Sequence, residues 1–217
     1  MIPIRKIRPT KGRNYRSKIS RSKNLQIVHA ESLLERDFVR LCNFDKAITN
    51  IYFQPVGIRF FYQGRERKYF PDYLLKTIDD TFVLVEVKLK EFAGKDKNKA
   101  KFLAAAEFCK TKGWKFNVVT EDQIRPGYLQ YNLKMLLEVK VHKEVPLVTQ
   151  FLLTIIKQKG RMKVGDLFEL SRSINPSLLL INLYKLIYSG CIVTDLIKTK
   201  VTNESILTLR EDNHESL

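Results

Sequence analysis

The sequence is poor in cysteine and histidine, with three of each among 217 residues. The cysteines stand far apart and include no Cys-x-x-Cys pair, which excludes a disulfide framework and a zinc ribbon. The histidines are scattered and form no ligand pattern. Long apolar runs are also missing, since none approaches the roughly 20 residues that cross a bilayer. We therefore expect a soluble protein of a reducing compartment, without a membrane partner.

Acidic residues are missing from the first 24 positions, which hold nine basic residues. Because such a segment cannot collapse, residues 1–24 are predicted to be a basic arm that is disordered until it meets a polyanion. The whole chain carries a net charge of +16, which favours DNA as the partner over a solubilising role for the arm. The predicted DNA contacts are Arg13, Arg16, Lys18 and Arg21 in the arm, and Lys95, Lys97 and Lys99 later in the chain.

Apolar periodicity divides the rest of the chain in two. Residues 25–145 are predicted to form a helix from Ala30 to about Asn43, three neighbouring strands, a helix, a strand and a final helix. This order predicts a fold of the α/β class, with an α+β mixed sheet that contains one parallel pair. Residues 146–217 show three helical stretches and two short strands, a pattern typical of a winged helix-turn-helix domain.

Three short stretches combine acidic residues with one lysine. Glu35 falls on the first predicted helix, Asp72 at the end of a strand, and Glu86 and Lys88 on a buried strand. Side chains alternate along a strand, so Glu86 and Lys88 project to one side, within reach of Asp72. Two carboxylates from neighbouring strands give an oxygen-rich site suited to Mg²⁺ or Mn²⁺. A lysine beside it would offset charge in a phosphodiester transition state.

Other interpretations of these residues stay open. Glu86 and Lys88 alone could form an ordinary ion pair, although the apolar strand around them would bury it at a cost. Glu31 competes with Glu35, because both fall on the same predicted helical face. Gln54 could steer a water molecule or, more simply, bond to a backbone group.

Two motifs, Pro71-Asp72 and Glu86-Val87-Lys88, resemble the restriction-endonuclease-like nucleases of the PD-(D/E)xK type. The chain is more closely similar to the TnsA nucleases of heteromeric bacterial transposases. The wider match consists of residues 31–38, Gln54-Pro55, residues 67–73 and residues 84–88. The resemblance implies a restriction-endonuclease-like core with Glu35, Asp72 and Glu86 as metal ligands and Lys88 as the catalytic lysine. It also implies Mg²⁺ as the cofactor, with Mn²⁺ able to substitute.

The same resemblance implies a substrate and partners. TnsA-like nucleases cut the non-transferred strand at the 5′ ends of a transposon in double-stranded DNA. They work beside a DDE transposase of the TnsB type and an AAA+ regulator of the TnsC type, which the C-terminal region contacts. A location in the bacterial cytoplasm follows, with the protein on the nucleoid when it is bound to DNA. The alternatives are a stand-alone restriction or repair endonuclease of the same fold and a catalytically inert DNA-binding adaptor.

Overall fold

The structure of the protein is a computed structural model that describes residues 17–19 and 27–210. Its backbone contacts divide the chain into two compact units, Met1–Arg125 and Pro126–Leu217. Within the described ranges, no helix combines the length and the apolar character that crossing a membrane requires.

The first unit alternates helices and strands. Its helices are α1 (Leu33–Phe44), α2 (Lys90–Ala93), α3 (Asp96–Lys112) and α4 (Glu121–Ile124). Its strands are β1 (Ser17–Ile19), β2 (Val28–Ala30), β3 (Ile48–Phe53), β4 (Ile58–Tyr62), β5 (Arg65–Tyr69), β6 (Tyr73–Thr77), β7 (Phe82–Val87) and β8 (Lys115–Val119).

Four of these strands form a mixed sheet in the order β3-β6-β7-β8. The pairs β3–β6 and β6–β7 are antiparallel, whereas β7 and β8 are parallel and are connected through α2 and α3. A parallel pair requires such a crossover, and a helix is its usual form. The predictions of a mixed sheet and of one parallel pair within it are confirmed.

A hairpin, β4–β5, stands apart from this sheet. Gln63 and Gly64 form its turn, with φ values of 52° and 68°, as a type I′ turn requires. The prediction of three neighbouring strands is confirmed, because β3, β6 and β7 are consecutive in the sheet, but the first two predicted strands are each divided. The chain bends at Gln54, where φ is 40°, and Pro55 cannot donate a ladder hydrogen bond. The first predicted strand is therefore divided into β3 and β4, which pair with β6 and β5 respectively.

Both faces of the mixed sheet are covered by apolar side chains. On one face, Val85 and Val87 pack in a cluster with residues of α1. On the other face, Leu84 belongs to a cluster formed by the hairpin and α3. The buried character predicted for β7 is thus confirmed, and its alternation directs Glu86 toward the side of the hairpin.

The predicted arm, residues 1–24, lies mostly outside the described residues. Its one described part contradicts the prediction of disorder, because residues 17–19 form β1 and pair antiparallel with β2. Ile19 also packs against the apolar cluster of α1. Backbone pairing and one partly buried apolar side chain, that of Ile19, stabilise this short segment despite the basic residues around it.

The second unit contains four helices in its described part, α5 (Leu129–Glu138), α6 (Pro146–Lys159), α7 (Val164–Leu170) and α8 (Pro176–Ser189). A turn of 3-10 helix, Val139–Val141, follows α5. The strands β9 (Arg161–Lys163), β10 (Ile192–Val193) and β11 (Ile206–Leu209) form an antiparallel sheet in the order β10-β11-β9.

The position of α5 differs from the predicted domain organisation. The sequence placed the boundary between residues 145 and 146, whereas the structure divides the chain between Arg125 and Pro126. Helix α5 contacts α8, and its buried Asn132 binds a loop of the second unit. The Asn132 amide donates to the carbonyl oxygens of Leu196 and Thr199 and accepts from the Val201 N–H. These contacts attach α5 to the C-terminal unit.

Replacement of Asn132 by alanine is expected to lower the free energy of unfolding by on the order of 3 kcal/mol, because three backbone groups would lose the buried side chain that bonds to them. Chemical denaturation of the full chain measures this loss. Lys134→Ala, on the exposed side of the same helix, is the matched control. A loss for Asn132→Ala no larger than that of the control would contradict the role given to Asn132.

Candidate active site

Asp72 lies in the short link between β5 and β6, where three segments meet. Its Oδ2 accepts a hydrogen bond from the Val87 N–H at 2.8 Å, and its backbone carbonyl accepts from the Gln54 N–H at 2.8 Å. These bonds fix Asp72 to the end of β7 and to the end of β3. In the described ranges the Val87 bond is the one made to the carboxylate, and it uses Oδ2 rather than Oδ1.

Glu86 and Lys88 meet at the end of β7, on the side that the alternation predicts. Glu86 is 3% exposed, and the Tyr69 hydroxyl donates to its Oε2 at 2.8 Å. The Lys88 ammonium lies 3.0 Å from Oε1 of Glu86. The Lys88 N–H donates to the carbonyl of Val119 in the parallel strand. The ion pair considered from sequence therefore exists, but it is partly buried and adjacent to the segment that carries Asp72.

Glu35 lies in the first turn of α1, which begins at Leu33 rather than at Ala30. Ser32 caps the helix because its hydroxyl accepts from the Glu35 N–H at 3.1 Å. The Glu35 carboxylate in turn accepts from the Ser32 hydroxyl at 2.9 Å and from the Glu31 N–H at 2.8 Å. Glu35 thus contributes to capping the helix while it also faces the other carboxylates.

Glu31 precedes α1, so the prediction that it shares a helical face with Glu35 was wrong. Ser32 is the N-cap, so the helix begins at Leu33 and Glu31 lies outside it. Oε2 of Glu31 nevertheless accepts from Nε2 of Gln54 at 3.3 Å. Gln54 is 3% exposed, and its Oε1 has no hydrogen-bond partner in the part of the chain that the structure describes. The simpler expectation for the Gln54 side chain, a bond to a backbone group, is not what the structure shows.

The carboxylates are close enough to perturb one another. Burial raises the pKa of Asp72 well above its ordinary value, and the charges of Glu86 and Glu35 raise it further. Burial likewise raises the pKa of Glu35. Burial alone would lower the pKa of Lys88, but the neighbouring carboxylates, Glu86 foremost, outweigh it and raise that pKa. The site is an acidic cluster with one ammonium group inside it.

Two tyrosines belong to the site, although aromatic side chains of strands commonly pack in the apolar core. Both are buried, but Tyr69 orients Glu86 through its hydroxyl. The Tyr73 hydroxyl donates to the backbone carbonyl of His29 at 2.8 Å and lies 3.5 Å from Oε2 of Glu35. The sequence signal for this role was the position of both tyrosines close to Pro71-Asp72, because a buried tyrosine hydroxyl usually finds a polar partner.

The donor atoms at this site suit a hard divalent cation. The carboxylates of Asp72, just before β6, and of Glu86, on β7, offer oxygen atoms of the kind that Mg²⁺ takes as ligands. Within residues 17–19 and 27–210, no three acidic, histidine or cysteine side chains group closely enough to hold a metal ion by themselves. Mg²⁺ does not require such a group, because it is usually held by one or two carboxylates together with substrate phosphates and water.

The predicted DNA contacts are distributed around this unit. Lys95, Lys97 and Lys99 are exposed at the start of α3, and Lys18 is exposed on β1. The remaining residues of the set, Arg13, Arg16 and Arg21, lie outside the described residues.

Part of the chain matches the model of a known family. Residues 45–121 match the family model described as "TnsA-like endonuclease N terminal". The matched segment runs from the end of α1 to the start of α4, and it contains Asp72, Glu86 and Lys88 but not Glu35. A search of curated proteins finds no match. Residues 45–121 of this chain are therefore similar to the N-terminal domain of TnsA-like endonucleases.

Proposed function

We propose that this chain is the Mg²⁺-dependent endonuclease subunit of a cut-and-paste transposase. Its substrate is double-stranded DNA at the transposon ends, where it cleaves the non-transferred strand at the 5′ ends. One observation carries the proposal, which is the convergence of Asp72, Glu86 and Lys88 at one end of the sheet. All three lie inside the segment that matches TnsA-like endonucleases. The proposed fold of this unit is restriction-endonuclease-like.

Asp72 and Glu86 are the residues that would hold the cation, with Glu35 as a further carboxylate beside them. A Mg²⁺ ion held by these residues would supply Lewis-acid chemistry for attack on the phosphate. Tyr69 keeps the Glu86 carboxylate in place through its 2.8 Å hydrogen bond. In hydrolysis, a bond forms from water oxygen to phosphorus while the bond to the leaving sugar oxygen breaks and that oxygen takes up a proton. The Lys88 ammonium offsets charge that develops on the phosphate oxygens.

The C-terminal unit is proposed to be a winged helix that docks on a partner. The order from α6 to β11 is helix, strand, helix, helix, strand, strand, which supports this assignment. Residues 146–217 hold nine basic and seven acidic residues, a weak excess for a surface that binds DNA phosphates. We therefore propose a protein partner, an AAA+ regulator of the TnsC type, with a DDE transposase of the TnsB type acting on the opposite strand.

The purified chain, incubated with transposon-end DNA and Mg²⁺, tests this function. We expect nicking of the 5′ ends when the neighbouring transposase and ATPase are both present, and little cutting by the chain alone. Omission of Mg²⁺ should remove the nicking, and Mn²⁺ should restore it. Strong cutting of arbitrary DNA by the chain alone would favour a stand-alone nuclease. No cutting in any combination would favour an inert adaptor.

A further inference from the structure

One lysine of helix α3 is placed differently from the others. The Lys101 ammonium lies over the ring of Tyr69, 5.3 Å from its centroid. Tyr69 is the residue whose hydroxyl holds Glu86, so Lys101 stands one side chain away from the candidate catalytic carboxylate. The sequence placed Lys101 in a run of helical lysines without distinguishing it from them.

Lys101 is half-buried, and no carboxylate pairs with it in the described part of the chain. Two exposed lysines of the same helix have such partners. Lys99 pairs with Asp96 at 3.7 Å and Lys110 pairs with Glu107 at 2.7 Å, and both are well exposed. An ammonium group that is withdrawn from water without a counter-charge is costly, and the contact with a tyrosine ring compensates only in part.

The charges around Lys101 favour an anion at this position. Burial is the largest cause that lowers the pKa of Lys101, and the ammonium groups of Lys88 and Lys97 lower it further. The carboxylates of Glu86 and Asp72 act in the opposite direction. Lys97 lies one turn earlier on α3 and is exposed, so the ammonium groups continue from Lys88 through Lys101 to Lys97. An anionic strand that enters the site would meet all three.

We infer that Lys101 binds a phosphate of the DNA strand next to the cleaved bond, as a second cationic contact beside Lys88. This inference rests on the proposed nuclease function, because the strand that Lys101 binds is the strand that the site cuts. Lys101 would hold the phosphate before reaction and would act on the substrate directly rather than through Tyr69. A fixed ammonium group in a partly dry site is preorganised for such a contact.

The test compares Lys101→Met, which keeps the aliphatic contact with Tyr69, with Lys101→Arg, which keeps the charge. Lys110→Met is the matched control, because Lys110 is exposed on the same helix and nine residues away, about 13 Å along the axis. The first measurement is the salt dependence of binding to a linear DNA duplex. Loss of one phosphate contact should reduce the log–log slope by about 0.9 for Lys101→Met, and Lys101→Arg and Lys110→Met should keep the wild-type slope.

The second measurement is the nicking rate with Mg²⁺ and the partner proteins. We expect Lys101→Met to nick at least about tenfold more slowly at a DNA concentration well below saturation, since one lost charge-assisted contact weakens binding by about that factor. Its melting temperature should match that of wild type, which separates the phosphate contact from a packing role.

Two outcomes would overturn the inference. One is a wild-type salt slope for Lys101→Met. The other is a reduced slope with an unchanged nicking rate, which would place the contact away from the cleaved phosphate. If the wild-type chain itself never nicks DNA, the proposed function fails, and the Lys101 inference fails with it. If the wild-type chain nicks normally and Lys101→Met behaves as wild type does, the Lys101 inference fails while the proposed function stands.

Discussion

Asp72→Asn is expected to reduce nicking of transposon-end DNA by about a thousandfold or more, because residues that act as one unit lose activity when any member is removed. The substitution removes the negative charge at Oδ1 that would hold the cation. It retains an oxygen that can accept the hydrogen bond from the Val87 N–H, so the link between β5 and β6 stays attached to β7. The melting temperature should therefore change little.

The measurement uses the complete mixture of chain, transposase, ATPase and Mg²⁺, since only there is wild-type nicking expected. Asp80→Asn is the matched control. Asp80 lies exposed in the turn between β6 and β7 with a φ of 60°, a conformation that asparagine adopts readily. Wild-type nicking by Asp72→Asn would remove Asp72 from the proposed site, whatever the state of the other residues.

The sequence predicts the pieces of this site because they follow local rules. Strand alternation sets Glu86 and Lys88 on one side of β7, and the structure shows their side chains 3.0 Å apart. The Gln63-Gly64 turn and the helix stop at Gly113, with a φ of 66°, both follow from the backbone freedom of glycine. Each of these features depends on a few neighbouring residues.

The features that the sequence did not predict depend on distant partners. The division of the first predicted strand into β3 and β4 occurs at Gln54, whose N–H donates to the Asp72 carbonyl across the sheet, and the two parts pair with β6 and β5. The apolar side of α5 predicts that the helix packs against other elements, but it does not predict which of the two units supplies them. That choice depends on the Asn132 amide and on a loop more than 60 positions later.

The tyrosine hydroxyls and Lys101 illustrate the same limit within the site. Tyr69 and Tyr73 have the composition of core residues, and their rings are indeed buried. The carboxylate that each hydroxyl contacts depends on how helix α1, strand β7 and the link that holds Asp72 pack together. Lys101 sits in a helix with many lysines, and only the packing of α3 over the hairpin brings it to Tyr69.

Lys88→Met is expected to reduce nicking by about 100- to 1,000-fold, the range seen when one charge-stabilising donor is removed from a transition state. It should also destabilise the fold. Glu86 is buried, and loss of the ammonium group leaves its Oε1 without a counter-charge. Removing one partner of such a pair costs on the order of 1–3 kcal/mol. Thermal melting and nicking therefore have to be measured on the same preparation.

A double variant separates the two effects of Lys88. When Glu86→Gln is combined with Lys88→Met, both charges are absent, and the amide oxygen of the introduced glutamine can still accept from the Tyr69 hydroxyl. The melting temperature should then recover toward wild type while nicking stays lost, because a neutral pair cannot hold the cation or offset charge on the phosphate. Lys88→Arg keeps a positive charge near Glu86, so it should melt like wild type and nick faster than Lys88→Met. If Lys88→Met nicked DNA at the wild-type rate, the partly buried pair would be structural, and Lys88 would have no part in the chemistry.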